Sequence, residues 1–124
     1  MPAVPRSARA SIDPVQSMYH QTLAGNAIAG EAIPAVCACK VNANGTIGIA
    51  AAADAVIGVT AIDALPGEPV TLFGAKARAT YADAGLTPGA LLYIGAGGVL
   101  DTTAAGTPLA VALNAREILI TRSV

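Results

Sequence analysis

The sequence predicts an all-β protein: a small β-barrel or β-sandwich with an irregular N-terminal arm. Three observations predict it. From residue 31 onward, short apolar segments alternate with Gly, Pro or Asn, the spacing of strands joined by tight turns. The apolar residues make up 54% of the chain and are mostly Ala, Val, Ile and Leu, with one Phe and no Trp. Asn-Gly and Pro-Gly pairs stand where hairpins need them.

Residues 1–30 read as the arm. Prolines 2, 5 and 14 interrupt regular pairing, and no period of 2 or 3.6 persists. A short helical turn near 15–23 is expected, with Asp13 as N-cap and Pro14 at the first helical position. Residues 31–124 read as one β domain, a length that fits a single modest core. "PAVCACKV" (34–41) is the first strand of that domain, and "NANG" (42–45) turns it, because Asn44 and Gly45 both tolerate positive φ. "TIGIAAA" (46–52) returns, and "AVIGVTAI" (55–62) follows. "LPGE" (65–68) is a Pro-Gly turn before "PVTLFG" (69–74). "AKARATYA" (75–82) alternates small residues with Lys76, Arg78 and Thr80, as a half-exposed strand does. "ALLYIG" and "GVLDTT" flank the glycine corner "GAGG" (95–98), and "TPLAVALN" and "REILITRS" complete the pattern. Alanine also favours helix, so 50–56 and 75–84 carry a helical counter-reading, which the nearby glycines and β-branched residues oppose.

Charge is sparse. Charged residues make up 12% of the chain, about half the usual share, and the net charge is −1. That leaves no basic field for nucleic acid and little repulsion to hold copies apart. The aliphatic runs are too short to span a bilayer, and no hydrophobic stretch follows Arg6 and Arg9 as in an export signal. Cys37 and Cys39 on one strand share a face, a poor geometry for a mutual disulfide, and read as small core residues in a protein made in a reducing cytoplasm.

The residues of catalysis and ligation do not form a pattern. "GAKAR" lacks the second glycine and the Ser/Thr of a phosphate loop, and "GAGG" lies between strands with Leu100 where a third glycine belongs. One Cys pair and one histidine, His20, are too few for a zinc site, and His20 sits in the proline-rich arm, a poor base for a nucleophile. The carboxylates fall singly, mostly at turns. No catalytic residue, cofactor or metal is expected, and the chain reads as a non-enzyme. Candidate interface residues are Arg6 and Arg9, on an arm that either reaches a neighbouring protein or is a solvated terminus. Met18 and Tyr19 join them, either anchoring the arm in an apolar groove or capping the β domain.

The stretch "LTPGALLYIGAGGVLDTTAAGTPLAVALNAREILITR" resembles the capsid cement, or head decoration, proteins of tailed bacteriophages, in the family once labelled predicted phage recombinase. The matching elements are a G-x-x-x-Y segment at 89–93, a glycine turn and Val/Thr strand at 97–103, a small-residue stretch at 106–113 and an Ile-rich strand at 117–121. The likeness extends over 29–122 and departs from the family at Pro108, where glycine is usual, and in the longer arm. It implies a structural protein without catalytic residues that binds the outside of the expanded icosahedral shell and clamps neighbouring major capsid subunits. It further implies a virion location, synthesis in the bacterial host cytoplasm and self-association, a trimer before a dimer. The alternative from another class is a small ligand-binding or carrier β-barrel. Lys40 and Lys76 lie away from the hairpin tips where a carrier lysine would sit.

Overall fold

The computed structural model describes residues 4–8, 10–12, 21–23, 28–104 and 106–121. It is an all-β structure of two antiparallel sheets. In chain order the strands are β1 (Ser11–Ile12), β2 (Gln21–Leu23), β3 (Ala38–Val41), β4 (Ile47–Ile49), β5 (Gly58–Thr60), β6 (Leu72–Phe73), β7 (Arg78–Thr80), β8 (Leu91–Ile94), β9 (Leu100–Asp101), β10 (Ala110–Ala112) and β11 (Glu117–Ile120). One sheet runs β1-β7-β11-β10-β8-β9 and the other β2-β6-β5-β3-β4. Isolated bridges (Ile28 to Pro69, Ala29 to Ile47, Ile33 to Ala64) draw residues 28–33 along the smaller sheet without closing it into a barrel.

Turn chemistry places the strands. Pro66 and Gly67 form a type II turn: Gly67 has φ +86°, and the Glu68 N–H donates to Leu65 O at 3.0 Å. The β3–β4 hairpin forms where "NANG" puts it, but only Gly45 takes positive φ, at +88°. The loop has three residues, closed by Asn42 N–H to Thr46 O (2.7 Å). Asn44 keeps negative φ and uses its side-chain oxygen instead, accepting from the Thr46 N–H at 3.2 Å and hydroxyl at 2.7 Å.

The described parts of the arm are paired. β1 lies antiparallel to β7, and β2 to β6, so residues from the first thirty form an edge of each sheet. The helical turn expected at 15–23 is corrected at its end: residues 21–23 are strand β2, because backbone pairing with β6 satisfies them. Its earlier part lies outside the described residues. Neither alanine-rich segment is helical, and 75–84 contains β7.

Period-2 alternation builds two cores. In the larger, Ala77, Ala79 and Tyr81, Leu92 and Ile94, Ala110 and Ala112, and Ile118 and Ile120 turn inward and pack with Ala38 and Val59 of the smaller sheet. Arg78 and Thr80 turn outward, as the alternation predicts, but the strand begins only at Arg78: Lys76 is exposed in the turn before it, with φ +76°. The second core lies on the other face of the smaller sheet, where Cys37, Cys39, Ile47 and Leu72 meet Ile33, Ala64 and Val70. Cys37 and Cys39 therefore share one face and Ala38 takes the other. The smaller sheet packs a core on each face, and its central strands are mostly apolar, Lys40 and Thr60 excepted. Thr60, fully buried, is satisfied by donating to Pro34 O (2.6 Å) and accepting from the Cys37 N–H (3.1 Å).

The glycine corner between β8 and β9 is wedged against the smaller sheet. Gly98 has φ +81°, and a Cβ built there would stand 2.6 Å from Cys37 Sγ and 2.9 Å from Ile49 Cγ2. Gly98→Ala combines a left-handed backbone with overpacking and is expected to destabilise the fold by about 3 kcal/mol, read from urea unfolding followed by circular dichroism.

Candidate interaction surface

Two features outside the ordinary packing carry the chain's remaining chemistry: a polar clasp on the N-terminal segment, and the outward face of the six-stranded sheet.

The clasp centres on Tyr81. Its ring is fully buried, and its hydroxyl donates to Val4 O at 2.9 Å while accepting from the Leu100 N–H at 2.9 Å. The Val4 N–H donates to Leu100 O at 2.8 Å, so Val4 lies against β9. The Ser7 N–H donates to Tyr81 O at 2.7 Å, and the Ser7 hydroxyl to Asp83. Arg6 lies over the Tyr81 ring, 5.3 Å from its centroid. Its Nη2 donates to Gly98 O at 3.1 Å and, more weakly, to Val36 O at 3.5 Å. Burial raises the Tyr81 phenol above its usual range, against the Leu100 N–H and the Arg6 charge, which lower it. Arg6 is thus turned inward as a tie between the arm, the glycine corner and the smaller sheet. Arg9, Met18 and Tyr19 lie outside the described residues.

The thiols are held protonated. Burial pushes Cys37 up to about 11, and the Arg6 charge only partly offsets it. Burial and the neighbouring Cys37 push Cys39 well above the usual thiol range. Both sulfurs donate to nearby carbonyls, Cys39 Sγ to Cys37 O at 3.3 Å and Cys37 Sγ to Ala38 O at 3.5 Å. Neither has the thiolate character that nucleophilic or metal chemistry requires.

The outward face of the six-stranded sheet is apolar where alternation should make it polar. The register sets Arg78, Leu119, Val111 and Leu91 in one row across β7, β11, β10 and β8. Leu119 and Val111 are half-buried, while Leu91 is 49% exposed. Leu113, 39% exposed, follows at the end of β10, and Tyr93 lies outward on β8 opposite Asp101 of β9. One corner of the face is polar. Glu117 Oε1 accepts from Arg78 Nη2 at 2.7 Å and from Asn114 Nδ2 at 2.8 Å. These two donors, Arg78 first, hold the Glu117 carboxyl below its usual range. Beside them, Thr80, Asn114 and Arg116 line an open depression of about 530 Å³. The other large exposed side chains, Val41, Ile62 and Leu65, lie at turns or strand ends.

Sequence reasoning placed its interface candidates on the arm and missed this face. The signal was present in "LLYI", "AVA" and "EILI", strands apolar at nearly every position. Among the described residues, no three His, Cys, Asp or Glu side chains converge as metal ligands, and no helix is long and apolar enough to cross a membrane. No family model, curated protein or solved structure matches the chain.

Two outcomes test these assignments. Tyr81→Phe leaves Val4 O and the Leu100 N–H unsatisfied in the interior and is expected to cost about 2 kcal/mol in denaturant unfolding. Glu117 has a lowered folded pKa, so the native state binds fewer protons than the unfolded chain as pH falls below about 4.5. Its contribution is full above that pH and is lost as pH drops through the folded value. Glu117→Gln should therefore flatten the acid limb of a Tm-against-pH curve and leave its slope near neutrality unchanged.

Proposed function

We propose that the chain is a structural, non-catalytic binding protein of a phage virion. It docks on the outer surface of the expanded icosahedral head and clamps neighbouring major capsid subunits. One observation carries the reading: the apolar outward face of the six-stranded sheet, on a chain with very few charges. Exposed Leu91 and Leu113 beside half-buried Tyr93, Val111 and Leu119 on one sheet face mark a contact surface. Burying such area is worth roughly 25 cal/mol per Å², and the polar corner at Arg78, Glu117 and Asn114 gives the rim that interfaces of this kind carry. The cysteines, the most reactive residue type described, are packed and protonated, which favours adhesion over catalysis.

The resemblance to capsid cement proteins supplies the partner. A shell presents the same subunit many times, so an oligomer that engages several subunits together gains avidity without a deep pocket or a cofactor. A rigid β domain transmits load between the subunits it bridges, and a clasped N-terminal segment keeps the domain closed under that load.

The test is co-sedimentation with undecorated tailed-phage heads, expanded and unexpanded. The expected result is pelleting with expanded heads only, together with a higher temperature for genome release. Failure to pellet with either form overturns the reading. Intact mass on material purified from cells addresses the carrier alternative, which requires a covalently attached cofactor.

A further inference from the structure

We propose that Asn44, at the tip of the β3–β4 hairpin, is a site of spontaneous covalent modification. The Gly45 nitrogen closes on the Asn44 side-chain amide, and the ring then opens to aspartate or isoaspartate, at a rate set by how often the hairpin tip comes apart. The inference is independent of the proposed function.

Of the four asparagines in the chain, Asn26, Asn42, Asn44 and Asn114, only Asn44 precedes a glycine; the others precede alanine. The reaction needs the following nitrogen to reach Cγ, an approach that a following side chain obstructs. Asn44 and Gly45 are both exposed, and a Cβ built at Gly45 would meet nothing within 4 Å. The Gly45 nitrogen gives its proton to hydroxide, and its lone pair bonds to Asn44 Cγ. Nδ2 takes a proton from water and leaves as ammonia, which closes a five-membered imide ring. Ring closure is intramolecular, so water and hydroxide are the only other reactants. Water then opens the ring. Cleavage of the new bond at Cγ leaves aspartate. Cleavage at the main-chain carbonyl carbon leaves isoaspartate, with the backbone rerouted through the side chain and longer by one carbon.

The native hairpin withholds the nucleophile. The Gly45 N–H donates to Asn42 O at 2.9 Å. Asn44 Oδ1 accepts from the Thr46 N–H and hydroxyl, and that hydroxyl accepts in turn from Asn42 Nδ2 at 3.1 Å. The two donors on Oδ1 draw charge from Cγ and favour attack, but attack cannot begin while the nitrogen keeps its bonded proton. The Gly45–Asn42 bond therefore decides, and the reactive tip belongs to a minor, locally opened state. The outcome also depends on the strands behind the tip. β4 is pinned on its far side by the Gly30 N–H to Ile47 O and the Ile47 N–H to Ile28 O, both at 2.8 Å. It cannot slide along β3 to absorb an extra carbon without turning its side chains to the wrong faces. Aspartate at 44 keeps the loop length and an oxygen for both Thr46 donors. Isoaspartate keeps neither the length nor the closing bonds of the loop.

Peptide mapping by mass spectrometry, on the full chain aged in mildly alkaline buffer, tests the site. The expected result is conversion at Asn44, faster as pH rises and with isoaspartate among the products, while Asn42 and Asn114 stay intact over the same period. In guanidinium chloride, where the hairpin bonds are gone, conversion at Asn44 should run at least about tenfold faster than in the folded chain. Asn44→Asp stands for one product and should unfold at the same denaturant concentration as the wild type. The isoaspartate form, separated by chromatography, should unfold at a lower one. Absence of conversion at Asn44 in both states overturns the proposal, as does a folded-state rate equal to or above that in denaturant. Conversion of Asn42 or Asn114 at the same pace, or an isoaspartate form as stable as the wild type, also overturns it.

Discussion

The structure hangs on a phenol that has no water. Tyr81 is fully buried, and a hydroxyl in that position costs free energy unless both its donor and acceptor capacity are used. Both are used on backbone from opposite ends of the chain, Val4 O and the Leu100 N–H. The bond pair fixes where Val4 lies, against the outer edge of β9. Arg6 then falls over the Tyr81 ring and reaches Gly98 O, which holds the glycine corner against Cys37 of the smaller sheet. The N-terminal segment, both sheets and the β8–β9 corner are thereby joined through one side chain and its immediate neighbours.

The interior around that junction is built from small groups. Ala38, Ala50, Ala77, Ala79, Ala110 and Ala112 line the larger core, with Cys37 and Cys39 beneath. Such side chains lose little rotamer entropy on burial, but each contributes little area, so the fold compensates by burying the smaller sheet on both faces. That accounts for the composition. Strands sandwiched between two apolar layers have few positions left for charge, and the outward face of the larger sheet removes several more. The low charge of the chain and its uncovered face have one origin, strands that carry apolar residues on both sides.

Most strands were legible because their boundaries are written in residues with distinctive backbones, proline fixed in φ and glycine free to take positive φ. Pro66-Gly67, Asn44-Gly45 and the corner at 95–98 punctuate segments too short to be helices, and the alternation in "AKARATYA" told which side of β7 is wet. What was not legible depends on partners far along the chain. Nothing local in "QTL" distinguishes a strand from a turn of helix; pairing with β6 decides it. Arg6 reads as a solvent-facing arm residue because its acceptors, Gly98 O and Val36 O, are backbone atoms, to which sequence assigns no identity. The outward face escaped for a different reason. A strand apolar at nearly every position reads as buried on both sides, and only the sheet order shows that β8, β10 and β11 belong to the larger sheet, with one side open.

The pairing of Val4 with Leu100 also sets an order of events during synthesis. The segment that borders β9 leaves the ribosome long before its partners Tyr81 and Leu100 are made. Until then its backbone donors and acceptors, and the edge strand β1 that follows, must wait in water. Long-range closure of this kind slows folding and leaves strand edges open to the nascent chains of neighbouring ribosomes. The early prolines, which cannot donate to a ladder, sit in the stretch that waits longest. On this account the composition of the first residues serves the unfinished chain as much as the finished one.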